Sequence, residues 1–197
     1  QLGKPVSLLF IDIDHFKLAN DQHGHEFGDA ALTTFAGVFR ECLRSEDVSC
    51  RYGGEEFVLL LANADADAAL LVAHRISENT RNIRFEEYPD FRLTISVGVS
   101  SMLPSAGSGL DLLIRCADSA MFRAKTAGRD QVMVGHLEES AKNGEKPSCQ
   151  LCFVPIKSSG SVDATEEVSY LIQDILLQVL DQMLELVYVV DTETYEI

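Results

Sequence analysis

The chain has 197 residues, 46% hydrophobic and 24% charged, the balance of a core-forming protein of one domain or slightly more. A formal charge of −15 argues against a nucleic-acid groove, which needs an excess of lysine and arginine. No apolar run reaches the roughly 18 to 20 residues of a membrane span, and five scattered cysteines (Cys42, Cys50, Cys116, Cys149, Cys152) fit a reduced, cytoplasmic compartment.

In chain order, Val6–Ile13 (VSLLFIDI) reads as a buried strand whose carboxyl end reaches a site. Asp12 and Asp14 share one face of it by the two-residue period. Residues 20–28 read as a loop, and Asp29 opens a helix whose Leu32, Phe35, Val38, Phe39 and Leu43 recur at helical spacing. Two strands, 48–52 and 55–61, flank Gly53-Gly54, a two-residue hairpin signal, with Glu55 and Glu56 at its turn. A helix is expected over 65–81, a strand over 92–101, a helix over 110–127 closed by Gly128, and a strand over 130–134. Helices and strands that alternate around a hairpin predict an α+β fold with a largely antiparallel sheet covered by helices.

The charge divides the chain. Residues 1–135 hold 13 lysines and arginines against 19 acids, net −6, whereas 136–197 hold 3 lysines against 12 acids, net −9. Residues 136–163 are loop-like and read as a linker. Val168, Ile172, Ile175, Val179, Met183 and Leu186 then follow spacings of three and four, predicting an amphipathic connector helix over 164–185.

Asp12/Asp14 at a strand end and Glu55/Glu56 at a hairpin tip would together hold a hard cation if the two strands are neighbours. Paired glycines would permit the twist that brings both glutamates to one site and a close approach by phosphate. The five histidines lack zinc-type pairing, and Cys149 and Cys152 lack a second pair, so neither set reads as a metal centre. The methionines and Phe122 share helical spacing with Leu113, Ile114 and Ala117 and read as core.

Arg51-Tyr52-Gly53-Gly54-Glu55-Glu56-Phe57 resembles the signature of GGDEF domains, the diguanylate cyclases, in its GGEEF form. Residues 11–17 (IDIDHFK), Asn20-Asp21, Gly24-His25, Gly28-Asp29, 96–98 (SVG), Ala117-Asp118 and 124–129 (AKTAGR) extend the resemblance over 5–135. It implies a nucleotide-cyclase, ferredoxin-like sheet and a homodimer that condenses two GTP into cyclic di-GMP, releasing pyrophosphate. It places Mg²⁺, with Mn²⁺ as a substitute, on Asp12, the Ile13 carbonyl and Glu55, and gives catalytic roles to Glu55, Glu56 and Lys17. Which glutamate accepts the proton stays open. Asn20 and Asp29 match the guanine-reading pair, and Phe16, Lys17, Lys125 and Arg129 match phosphate contacts.

Arg44-Ser45-Glu46-Asp47 resembles the RxxD site at which the cyclic product inhibits such enzymes, and Arg75 could supply a second arginine. The family's usual first helix precedes the first strand, so the expected unit, 1–135, lacks it. Residues 186–197 resemble the opening of a PAS domain, and sensor domains upstream or downstream are expected partners. Two other functions share much of this pattern: a catalytically silent module that binds GTP or cyclic di-GMP, and a cyclase acting within one nucleotide.

Overall fold

The computed structural model describes residues 3–103, 110–137 and 149–150. The connector helix, the PAS-like strands, Cys152 and most of the linker lie outside the described residues. A central strand, β1 (Val6–Ile13), is followed by α1 (Phe16–His23) and α2 (His25–Cys42). A hairpin of β2 (Val48–Arg51) and β3 (Glu56–Ala62) leads to α3 (Ala66–Asn82), β4 (Ile95–Met102), α4 (Leu110–Thr126) and β5 (Gln131–Val134). The sheet order is β2-β3-β1-β4-β5, antiparallel except for the parallel β4–β5 pair. This is the largely antiparallel α+β sheet the sequence predicts. Within the predicted linker, β6 (His136–Leu137) pairs antiparallel with β7 (Cys149–Gln150).

Both faces of β1 are covered, which is why its sequence is a continuous apolar run instead of an alternation. Leu9, Ile11 and Ile13 share a core with Phe35 and Phe39 of α2 and Ile76 of α3. Val6, Leu8 and Phe10 share the opposite core with Leu113, Ala117 and Met121 of α4. Removal of each large side chain from water contributes about 1.5–3 kcal/mol. The β1 side chains that face α4 are the even-numbered ones, so Asp12 falls at the α4 end of that row. Gly98 of β4 lets α4 lie flat on the sheet: a Cβ there would stand 1.9 Å from the Ala117 carbonyl oxygen and 2.3 Å from the Met121 nitrogen.

Several local expectations change. The stretch expected as a loop from Asn20 contains the second half of a short helix, α1, which buries only Phe16 and Ala19 and so shows no apolar stripe. Helix α2 starts four residues before Asp29, after Gly24, whose φ of 89° only glycine adopts readily. The hairpin is not a two-residue turn: Tyr52 and Gly53 N–H groups both donate to the Glu56 carbonyl, leaving Gly53, Gly54 and Glu55 as the tip. Phe122 is 62% exposed and belongs to neither core.

Candidate active site

Asp12, the penultimate residue of β1, lies directly opposite Glu56 of β3 in the antiparallel register. One step on, the Ile13 N–H donates to the Glu55 carbonyl at 3.2 Å. The sheet therefore brings Asp12, Ile13, Glu55 and Glu56 to one corner, from segments more than forty residues apart in sequence. The Asp12 side chain is 4% exposed and its Oδ2 accepts a 2.5 Å bond from Lys125 Nζ at the end of α4.

Burial pushes the Asp12 carboxyl up to about 6; Lys125 opposes that, while Glu55 and Glu56 raise it further. The corner carries more negative charge than Lys125 neutralises, and its donors are hard oxygens, which suits a Mg²⁺-sized cation. Among the described residues, no three His, Cys, Asp or Glu side chains form a preassembled metal site.

Asp14 does not join this corner, contrary to its expected pairing with Asp12. Its buried carboxylate accepts from Thr94 Oγ1 (2.8 Å), Ser96 Oγ (2.6 Å) and the Asp130 N–H (2.9 Å). With three donors satisfied, it works as a brace between β1, β4 and the turn after α4.

The Gly53-Gly54 turn is held by Arg51, the first residue of the motif, to which the sequence alone assigned no role. Arg51 Nε donates to both the Gly53 and Gly54 carbonyls at 3.2 Å, and Nη2 to Gly54 at 2.8 Å. Neither glycine has a left-handed φ. A Cβ on Gly53 would meet Glu56 Oε2 at 2.8 Å, and one on Gly54 would enter open space where a ligand can approach the backbone.

Asn20 and Asp29 come together at the α1–α2 corner. Asn20 Oδ1 is buried without a hydrogen-bond partner among the described residues. It occupies the space that a side chain at Gly28 would need, 1.8 Å from that Cβ position. Asp29 is exposed beside it. His23 packs on Tyr88 at 4.2 Å between ring centres, and Phe27 on Tyr88 at 4.8 Å and Phe91 at 5.0 Å, pinning the corner to the segment before β4. These aromatics are irregularly spaced and gave no periodic signal.

Phe16 is buried, so only its main chain at the start of α1 can reach a ligand, while Lys17 is exposed. Lys125 and Arg129 do not share a helix face as their spacing suggests. Helix α4 ends at Thr126, and Arg129 follows at a left-handed φ of 65°.

Away from this corner, Arg44, Asp47 and Arg75 line one cavity of about 310 Å³ between α2, β3 and α3. Asp47 is largely structural there. Its oxygens accept from the Arg44 N–H (2.9 Å) and the Ala62 N–H (3.1 Å), and burial raises its carboxyl above the ordinary range. Arg75 Nη2 donates to the Cys42 carbonyl at the end of α2.

The family model described as "Diguanylate cyclase, GGDEF domain" matches residues 1–131. The chain belongs to this GGDEF family. It is 41% identical over 132 residues to diguanylate cyclase A of Treponema denticola, covering 64% of this chain and 34% of that protein. It is 40% identical over 136 residues to the response regulator PleD of Caulobacter vibrioides, covering 66% and 29%. Among solved structures, the active GGEEF domain of a Vibrio cholerae diguanylate cyclase superposes with a TM-score of 0.62 at 33% identity, over 66% of this chain and 83% of that one. The GGDEF domain of DgcB from Caulobacter crescentus, solved with c-di-GMP, gives 0.61 at 27% identity, over 66% and 78%. The chain spans about a third of the length of the curated relatives it matches. No described helix is long and apolar enough to cross a membrane.

Proposed function

We propose that the chain is the cyclase unit of a protein that condenses two GTP into cyclic di-GMP, with one GTP presented by each subunit of a homodimer. The observation that carries this reading is the corner where Asp12, Ile13, Glu55 and Glu56 converge with Lys125, in a chain of the GGDEF family. Asp12, the Ile13 carbonyl and Glu55 would hold Mg²⁺, which would offset triphosphate charge and make the α-phosphorus more electrophilic. Glu55 or Glu56 takes the proton of the attacking 3′-hydroxyl. A 3′-oxygen-to-α-phosphorus bond forms as the bond from that phosphorus to the bridging oxygen breaks and pyrophosphate leaves. A second transfer closes the ring.

Lys125, Arg129, Lys17 and the N–H groups at the start of α1, which no side chain caps, hold the triphosphate. Asn20 and Asp29 read guanine. The buried, unpartnered Asn20 Oδ1 accepts from the base, and the Asp29 carboxylate accepts from a guanine N–H, where adenine presents a different pattern. Arg44 and Arg75, projecting into their shared cavity, bind the cyclic product and slow turnover. Sensor domains elsewhere in the parent protein set the dimer geometry.

Incubation of the parent protein with GTP and Mg²⁺, followed by chromatography, should show cyclic di-GMP and pyrophosphate in a 1:2 ratio. Asp12→Asn and Glu55→Gln should abolish the product. Cyclic di-GMP binding that requires Arg44, without turnover in the parent, would sink the cyclase reading and leave a receptor module. A product of one nucleotide's mass would identify a mononucleotide cyclase.

A further inference from the structure

The turn after α4 carries an uncommon backbone. Gly128, Arg129 and Asp130 have φ of 122°, 65° and 49°, three successive residues in the left-handed half of the map. For a residue other than glycine that conformation costs about 1 kcal/mol, so two in succession need external restraint. The restraints converge on Asp130. Its N–H donates to the buried Asp14 carboxylate at 2.9 Å, and its own Oδ1 and carbonyl accept from Arg81 Nε (2.8 Å) and Nη2 (3.2 Å). The Arg129 N–H returns to the Ala124 carbonyl at 2.9 Å, closing the end of α4. The Arg129 guanidinium, by contrast, has no hydrogen-bond or ion-pair partner among the described residues, so it is available to a ligand.

We infer that Asp14, Asp130 and Arg81 are positioning residues for Arg129. Asp14 stands two residues after Asp12 on the same strand end, and it grips the turn from which Arg129 projects. The backbone that launches the phosphate-binding arginine is thereby fixed to the strand that ends in the metal-binding acid. Arg81 holds the same turn from α3. Without these ties the turn relaxes toward right-handed φ, the Cα–Cβ bond of Arg129 swings, and the guanidinium must be reoriented at each binding event, which weakens binding. The inference rests on the reading of Arg129 as a triphosphate contact.

The test is GTP binding to the full chain in Mg²⁺ by calorimetry, with KM and kcat measured in the parent protein. Asp130→Ala should weaken GTP binding and raise KM by about tenfold with kcat within about twofold. Asp130→Asn, which tolerates left-handed φ and keeps an oxygen for Arg81, should stay within about twofold of wild type. Arg81→Met should fall between them. In an Arg129→Ala background, Asp130→Ala should add no further loss, whereas a general structural role would add its full effect. Thermal denaturation of each variant separates unfolding from misplacement. If the unsubstituted protein binds no GTP, the cyclase reading fails. If it binds, Arg129→Ala is weak and Asp130→Ala matches wild type, the positioning role alone is overturned. Full additivity of the two changes overturns it as well.

Discussion

Gly28→Ala separates recognition from stability at a single methyl group. The added Cβ would stand 1.8 Å from Asn20 Oδ1 and 2.8 Å from its Cγ, closer than non-bonded atoms approach, so the amide has to swing out. The obstacle is the end of a flexible side chain and not backbone, so the fold can yield. Within helix α2, alanine is favoured over glycine by about 1 kcal/mol. Forcing Asn20 off its rotamer costs about 0.5–1.5 kcal/mol, so the two terms nearly cancel and Tm should move by only a few degrees. Recognition has no such offset. Loss of a buried hydrogen bond to guanine costs about 1–3 kcal/mol, or roughly tenfold to a hundredfold in Kd. Calorimetric titration with GTP in Mg²⁺ reads the binding, and differential scanning calorimetry reads the fold. Asn20→Ala should match Gly28→Ala, and the double variant should be no worse than either. Unchanged GTP affinity in Gly28→Ala would refute the reasoning, and so would a large fall in Tm, which would make the amide a structural element.

At Gly98 the obstacle is backbone, so alanine there should destabilise by about 3 kcal/mol or more, seen as a lower urea midpoint at unchanged slope; a midpoint equal to wild type would contradict the close α4–β4 approach. Burial pushes the Cys50 thiol up to about 11, so at pH 8 only about one in a thousand is thiolate. Ellman's reagent should label Cys50 slowly in native protein and at once in urea, and fast native labelling would be inconsistent with its burial. The Asp12 carboxyl titrates near 6 when folded against 3.8 for the free group, so the folded state binds that proton more tightly. Stability of the ligand-free protein should therefore decline as pH rises from about 4 to about 6, by up to ~3 kcal/mol relative to Asp12→Asn. Parallel urea midpoints for the two proteins across that range would show that Asp12 is not buried as described.

The strongly periodic elements were legible in the sequence because packing alone sets them. The run 6–13 is apolar at every position through Ile11 except Ser7 because both faces are covered, and α2, α3 and α4 show stripes because each buries one side. Asp12 and the Gly53–Glu56 turn were legible for a different reason: acids beside an apolar strand and beside paired glycines have no packing role of their own. Other features carried no such pattern. Helix α1 buries two residues, Phe16 and Ala19, and is polar from Asn20 onward, too little for an apolar stripe. Asp14 looks identical to Asp12 at the level of spacing, and only its three donors, 80, 82 and 116 residues ahead, give it the opposite job. Arg51, Arg81 and Asp130 are ordinary surface charges until the turns they hold are seen. Phe122 shares the spacing expected of the α4 core, yet it lies on the outward face of the helix, between the buried Met121 and Ala124.

The Lys125–Asp12 contact joins residues 113 apart in sequence. Closing a loop of that length costs chain entropy, which the packing of α4 on β1 and β4 has to offset. The Lys125 side of the corner therefore exists only where α4 is docked on the sheet. On the proposed triphosphate site, nucleotide binding draws on docked α4, so a GTP analogue should slow exchange of the α4 amides.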